Sequence, residues 1–141
     1  MKLKGQHVLI TGGTRGIGKQ IAGAFLNDGA EVLISARSEK ELADVKKELG
    51  SEKLFIYPCD VSDPDQVKKL MQAVNLRWGE DLDAVVNAAG IYGPKGLLEE
   101  TSDDEWLKTI MINLYGTMLV TQAAIPLMKK RKKGVIINFS G

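Results

Sequence analysis

The chain has a single cysteine and almost no excess of charge of either sign. Cys59 alone cannot close an internal disulfide, and the cytoplasm is the expected compartment. The 19 Lys and Arg residues against 18 Asp and Glu leave a net charge of +1, which provides no global field to gather nucleic acid or an anionic membrane. The apolar stretch His7-Val8-Leu9-Ile10 breaks at Thr11-Gly12-Gly13, too soon for a signal peptide or a membrane span. Repeats, linkers and low-complexity segments are absent from the 141 residues, 44% of which are hydrophobic. This length and composition predict one domain over residues 1–141, with no nucleic acid, membrane or metal as partner.

Glycine, by contrast, is plentiful at 15 residues, and Gly12, Gly16 and Gly18 punctuate one junction. The segment from Thr11 to Gly18 leads from the apolar run into Lys19-Gln20-Ile21-Ala22, so a buried strand turns into a helix. Gly12 has access to backbone angles closed to other residues, Gly16 lets the backbone approach a ligand, and Gly18 lets helix and strand pack closely. Unpaired N–H groups at the helix start then face an anion, and a dinucleotide pyrophosphate fits that turn. The Gly-x-x-x-Gly-x-Gly spacing departs from the Gly-x-Gly-x-x-Gly fingerprint and does not by itself define the ligand. A Walker A reading of Gly13 to Lys19 fails at Gln20, where a magnesium-binding hydroxyl is required.

Strand patterns fall at 7–11, 31–36, 53–58, 82–87 and 135–139, and helix patterns at 16–28, 39–50, 64–78 and 103–131, judged by apolar period and length. Ser38 with Glu41 and Ser102 with Glu105 fit capping boxes, and Pro64 suits a first helical turn. Continuous apolar strands such as Val32-Leu33-Ile34 and Val135-Ile136-Ile137 suit a sheet covered on both faces. The alternation predicts an α/β fold, a Rossmann-type doubly wound parallel sheet in three α/β/α layers that ends after its fifth strand. In the last helix Trp106, Ile110, Leu114 and Thr117 share a face expected to be core or subunit interface. Pro126 should bend or loosen that helix. The basic run from Lys129 to Lys133 complements the helix dipole, with Gly134 closing the helix.

Ligands of doubly wound sheets sit beyond the carboxyl ends of the strands, near the switch in strand order. NAD-specific sites place a carboxylate at the end of the second strand for the ribose hydroxyls; here Ala36 is followed by Arg37. Arg37 and Arg15 of the glycine turn are two cations available to a 2′-phosphate of about two negative charges. NADP(H) is therefore expected in preference to NAD(H).

The glycine turn, Cys59-Asp60-Val61, Asn87-Ala88-Ala89-Gly90 and Asn113 in Ile112-Asn113-Leu114, taken in this order, resemble the short-chain dehydrogenase/reductase family. The resemblance covers the whole chain. It implies an oxidoreductase that moves a hydride between nicotinamide and the alcohol or carbonyl carbon of a small-molecule substrate, in a homo-oligomer. It also implies that Gly12, Thr14, Arg15, Gly16, Ile17 and Gly18 form the pyrophosphate turn, with Arg37 beside the ribose. Asp60 and Val61 would frame the adenine, although Asp60 also suits a simple turn cap before Pro64. Ala88, Ala89 and Gly90 would let the backbone approach the cofactor while the Asn87 amide ties neighbouring strands, and the loop from Tyr92 to Gly96 would lie near the nicotinamide.

Catalysis in this family resembles acid–base chemistry by a Tyr whose pKa is lowered by a Lys four residues later, with a Ser on the substrate oxygen and an Asn organising a water relay. Tyr57 is followed four places on by Val61, Tyr92 by Gly96 and Tyr115 by Leu119, so the chain contains no Tyr-x-x-x-Lys. Asn113 matches the relay Asn. Aligning Gly134 to Gly141 on a strand that ends in two serines puts Ser140 on the first and Gly141 on the catalytic second. Either Ser140 supplies the hydroxyl by a local shift or the parent enzyme relies on its Tyr. The expectation is the N-terminal, cofactor-binding part of a longer enzyme, inactive alone; a non-catalytic dinucleotide-binding module is the other reading.

Overall fold

Residues 1–140 are described by a computed structural model. Along the chain run β1 (His7–Thr11), α1 (Gly16–Asn27), β2 (Glu31–Ala36), α2 (Glu39–Leu49), β3 (Leu54–Pro58), α3 (Pro64–Trp78), β4 (Ala84–Asn87), α4 (Asp103–Ile110), α5 (Gly116–Arg131) and β5 (Val135–Asn138). The five strands form one parallel sheet in the order β3-β2-β1-β4-β5. The order reverses between β1 and β4, which creates the switch-point crevice at their carboxyl ends.

The period-2 alternation of buried strands assigns each side chain to a layer. Val8, Ile10, Val32, Ile34, Ala84 and Val86 pack with Ala22, Leu42 and Val45 of α1 and α2. Leu9, Leu33 and Val85 face the other way, against Val67, Leu70 and Val74 of α3 and Val120, Ala124 and Met128 of α5. Each fully buried aliphatic side chain contributes roughly 1.5–3 kcal/mol by leaving water, so both layers hold the carboxyl ends of β1, β2 and β4 in fixed register.

Helix starts follow their local chemistry. The Ser38 hydroxyl accepts the Glu41 N–H at 3.2 Å, and Ser102 accepts that of Glu105 at 3.3 Å while donating to its carboxylate at 3.1 Å. Asp63 caps α3 ahead of Pro64. The first box is only half formed, because the Glu41 carboxylate turns away to Thr14.

The segment expected to be one regular helix over 103–131 has an interruption. Met111–Tyr115 is a π turn in which the Gly116 N–H donates to the Met111 carbonyl, an inserted residue that an average period of 3.6 does not reveal. Pro126 lies inside α5, which continues to Arg131. Gly134 does not close this helix as expected. Lys132 takes the left-handed position, with φ 53°, and Gly134 serves close packing, since a Cβ there would lie 2.5 Å from Met128.

The basic run has acidic partners as well as a dipole to complement. Arg131 contacts Asp81 at 3.2 Å and Asp83 at 3.0 Å, Lys133 contacts Asp83 at 3.2 Å, and Lys130 pairs with Glu80. By length and composition Asp103–Arg131 could cross a membrane; here Ile112, Leu119, Val120 and Ala124 pack it into the core. Trp106, Ile110 and Leu114 are exposed by 42%, 47% and 68%, so their face is not part of this chain's core.

Candidate cofactor-binding site

A cavity of about 380 Å³ opens at the carboxyl ends of the strands. The glycine turn contributes Gly12, Thr14 and Arg15, and the end of β2 contributes Ser35, Ala36, Arg37 and Ser38. Glu41, Cys59, Asp60, Val61, Ala89, Gly90, Ile91 and Ile112 complete the wall. Segments far apart in sequence are thus brought together by the crossovers between strands, as the parallel topology requires.

The glycine turn is held by neighbouring backbone. Gly12 and Gly13 donate N–H bonds to the Ser35 carbonyl at 2.7 and 3.2 Å. Gly12 has φ 69°, and a Cβ there would lie 2.6 Å from the backbone of Ala88 and Ala89; both facts demand glycine. Gly18 is buried beneath the turn, where its Cβ would meet the Gly12 carbonyl at 2.2 Å. Ala88 lies 3.3 Å from the same Cβ, so α1 packs closely on the residues that directly follow β1 and β4. Gly16 also has positive φ, 54°, and nothing lies within 4 Å of a Cβ built on it. It and Ile17 are exposed at the start of α1, beside open space and with the unpaired N–H groups of a helix start. Gly16, Ile17, Gly18, Asn87 and Ala88 do not line the cavity itself.

Charge at the cavity is uneven. Arg15 and Arg37 are exposed, and among the described residues neither has a salt-bridge partner. The residue that sequence reasoning missed is Glu41, whose carboxylate accepts the Thr14 hydroxyl at 3.1 Å. Its capping position was legible; the reach of its side chain from α2 to the glycine turn was not.

Cys59 is 2% exposed. Burial, aided by the charge of Asp60, pushes its thiol up to about 11 against an opposing contact with Ser35. The Ser35 hydroxyl lies against that thiol without a hydrogen bond of ordinary geometry. Cys59 is therefore a neutral wall of the cavity, with almost no thiolate at neutral pH.

Asp60 uses Oδ1 to accept from the Ser62 N–H at 2.9 Å and the Ser62 hydroxyl at 2.7 Å, which orders the turn before Pro64. Asn87 donates through Nδ2 to Thr121 at 3.1 Å and Asn138 at 2.8 Å, tying β4 to α5 and β5. Its Oδ1 is buried without a partner. Asn113, inside the π turn, spends both ends of its amide on Ile91: Oδ1 accepts the N–H at 2.8 Å and Nδ2 donates to the carbonyl at 2.8 Å. Ser140 is exposed just past β5, no hydrogen bond joins it to Asn113, and Gly141 lies outside the described residues.

A doubly wound parallel sheet with a glycine-rich strand-to-helix turn at its switch point defines a Rossmann-type protein. The chain belongs to the short-chain dehydrogenase family, whose description matches residues 6–141. An uncharacterized oxidoreductase of Thermotoga maritima is 41% identical over 99% of this chain and 55% of its own length. A 3-oxoacyl-[acyl-carrier-protein] reductase of the same organism is 36% identical over 99% of this chain and 57% of its own. The solved structure of ElxO with NADP bound superposes with a TM-score of 0.90 at 36% identity, covering 100% of this chain and 56% of that one. The chain spans about half the length of the curated relatives it matches.

Proposed function

We propose that the parent protein is an NADP(H)-dependent oxidoreductase acting on an alcohol or carbonyl compound, and that this chain supplies the cofactor-binding half. The observation that carries the reading is one cavity lined by Arg15, Ala36 and Arg37, two unpaired cations beside a position where a ribose-binding carboxylate is missing. The residues present fit a dinucleotide: open space flanks Gly16, and the small residues Ala89 and Gly90 form the cavity wall.

In this reading the helix start at Gly16, Ile17 and Gly18, with Thr14, holds the pyrophosphate through backbone N–H groups. Arg15 and Arg37 hold the 2′-phosphate, and Asp60 and Val61 border the adenine. Asn87, Ala88, Ala89 and Gly90 form the floor beneath the rest of the cofactor. When bound, the nicotinamide supplies or accepts a hydride. Asn113 positions the Ile91 backbone beside that end, and Ser140 lies at the edge where substrate enters. No Tyr of the chain has a Lys four places on, so proton transfer to the substrate oxygen falls to residues of the parent protein. The name of one relative, a 3-oxoacyl-[acyl-carrier-protein] reductase, is consistent with this reaction class.

The parent protein should oxidise NADPH in the presence of an aldehyde or ketone panel, and NADH more slowly. Tight NADPH binding with no turnover across the panel would favour the non-catalytic module.

A further inference from the structure

We propose that Glu41 moderates cofactor specificity: a carboxylate delivered from α2 that opposes the 2′-phosphate preference set by Arg15 and Arg37. The inference rests on the dinucleotide reading of the cavity. Position 36 at the end of β2 has no carboxylate, yet Glu41 lines the same cavity. The side chain abandons the capping box and reaches the glycine turn, where the Thr14 hydroxyl holds it at 3.1 Å. Among the described residues it has no ion-pair partner, and neither do the two arginines. The negative charge therefore remains uncompensated in a cavity otherwise suited to an anion.

Two consequences follow from elementary electrostatics. A 2′-phosphate entering beside Arg37 meets an anion as well as two cations, which lowers the gain from the cations. A ribose diol instead meets an acceptor, because an ionised carboxylate offers only lone pairs. Glu41 thus narrows the gap between the two cofactors instead of enforcing either one. Its exposure makes the effect subject to salt screening.

Calorimetric titration of the parent protein with 2′,5′-ADP and 5′-AMP, which differ only in the 2′-phosphate, tests this directly. Glu41→Gln should tighten 2′,5′-ADP about five- to twentyfold and change 5′-AMP by less than about twofold. Glu41→Ala should likewise tighten 2′,5′-ADP and, with the acceptor gone, leave 5′-AMP unchanged or weaker, and 1 M NaCl should remove most of the gain. An equal change for both nucleotides, or none for either, would overturn the proposal. Equal wild-type affinities with a selective gain in the variants would support Glu41 and refute the NADP(H) preference. Wild-type protein that binds neither nucleotide would overturn the dinucleotide reading, and this proposal with it.

Discussion

Gly12 and Gly16 share a left-handed backbone but differ in what surrounds them. At Gly12 a methyl group collides with the backbone of Ala88 and Ala89, so Gly12→Ala should cost at least about 2 kcal/mol, combining backbone strain with displaced neighbours. At Gly16 the same methyl enters open space, so Gly16→Ala should cost only about 1 kcal/mol while sharply weakening dinucleotide binding. Urea unfolding and cofactor titration of both variants check the contrast. Equal stability losses would show that close packing at Gly12 is not what the geometry indicates. Cys59 provides another residue-scale test: its buried, neutral thiol should resist iodoacetamide at pH 7.5 and react promptly once the chain is unfolded, as followed by mass spectrometry. The glycine turn was legible because an unusual backbone leaves an unusual composition. Glu41 was not, because a side chain that reaches across to another segment leaves no periodic trace in sequence.

At the scale of elements, strand and helix type followed from apolar period, and α3 coincides with the expected 64–78. β1 and β2 likewise coincide with 7–11 and 31–36, while other ends moved inward by one or two residues: β3 starts at Leu54 and β4 at Ala84, as pairing partners set strand ends. The π turn and the Lys132 cap escaped sequence reasoning, since the first is an inserted residue that an average period hides and the second puts a residue other than glycine in the left-handed position. The charges at 129–133 were correctly placed at a helix end, but their partners at Glu80, Asp81 and Asp83 come from a distant turn. Asp83 is the centre of this staple. Burial raises its pKa, yet the His7 N–H, Lys133 and Arg131 together outweigh that and hold it below the ordinary carboxylate value. A depressed folded-state pKa means that the stabilisation is present above about pH 4 and is lost as pH falls through the lower folded value. Asp83→Asn should cost about 1–3 kcal/mol at pH 7, reduced by the exposure of Lys133. The wild type and variant should converge in stability as the pH falls through that lowered value. Acid titration of the thermal midpoint checks this, and a pH-independent difference would contradict the ionic account.

For the whole molecule, the sheet and both helix layers close around the cavity, while one side stays uncovered. Val135 and Phe139 are 55% and 47% exposed, and Trp106, Ile110 and Leu114 expose apolar surface on separate elements. Exposed apolar faces and strand edges drive self-association, so the 141-residue chain alone should form oligomers detectable by light scattering; with no Tyr-x-x-x-Lys pair, it should also show no reductase activity. The architecture and the glycine turn were readable from sequence because repeated β-α units and glycines at a strand-to-helix junction carry strong local signals. Substrate choice was not readable, because no residue here has a pattern tied to one substrate.

The central claim, a cavity built for a 2′-phosphorylated dinucleotide, is tested most directly by titrating NADPH and NADH against the parent protein and its Arg37→Ala variant. A charge-assisted contact is worth roughly 1.5–3 kcal/mol, about ten- to a hundredfold in affinity. The wild type should bind NADPH more tightly, and Arg37→Ala should weaken NADPH by about that factor while leaving NADH nearly unchanged. Equal wild-type affinities, or an equal loss for both cofactors, would contradict the account.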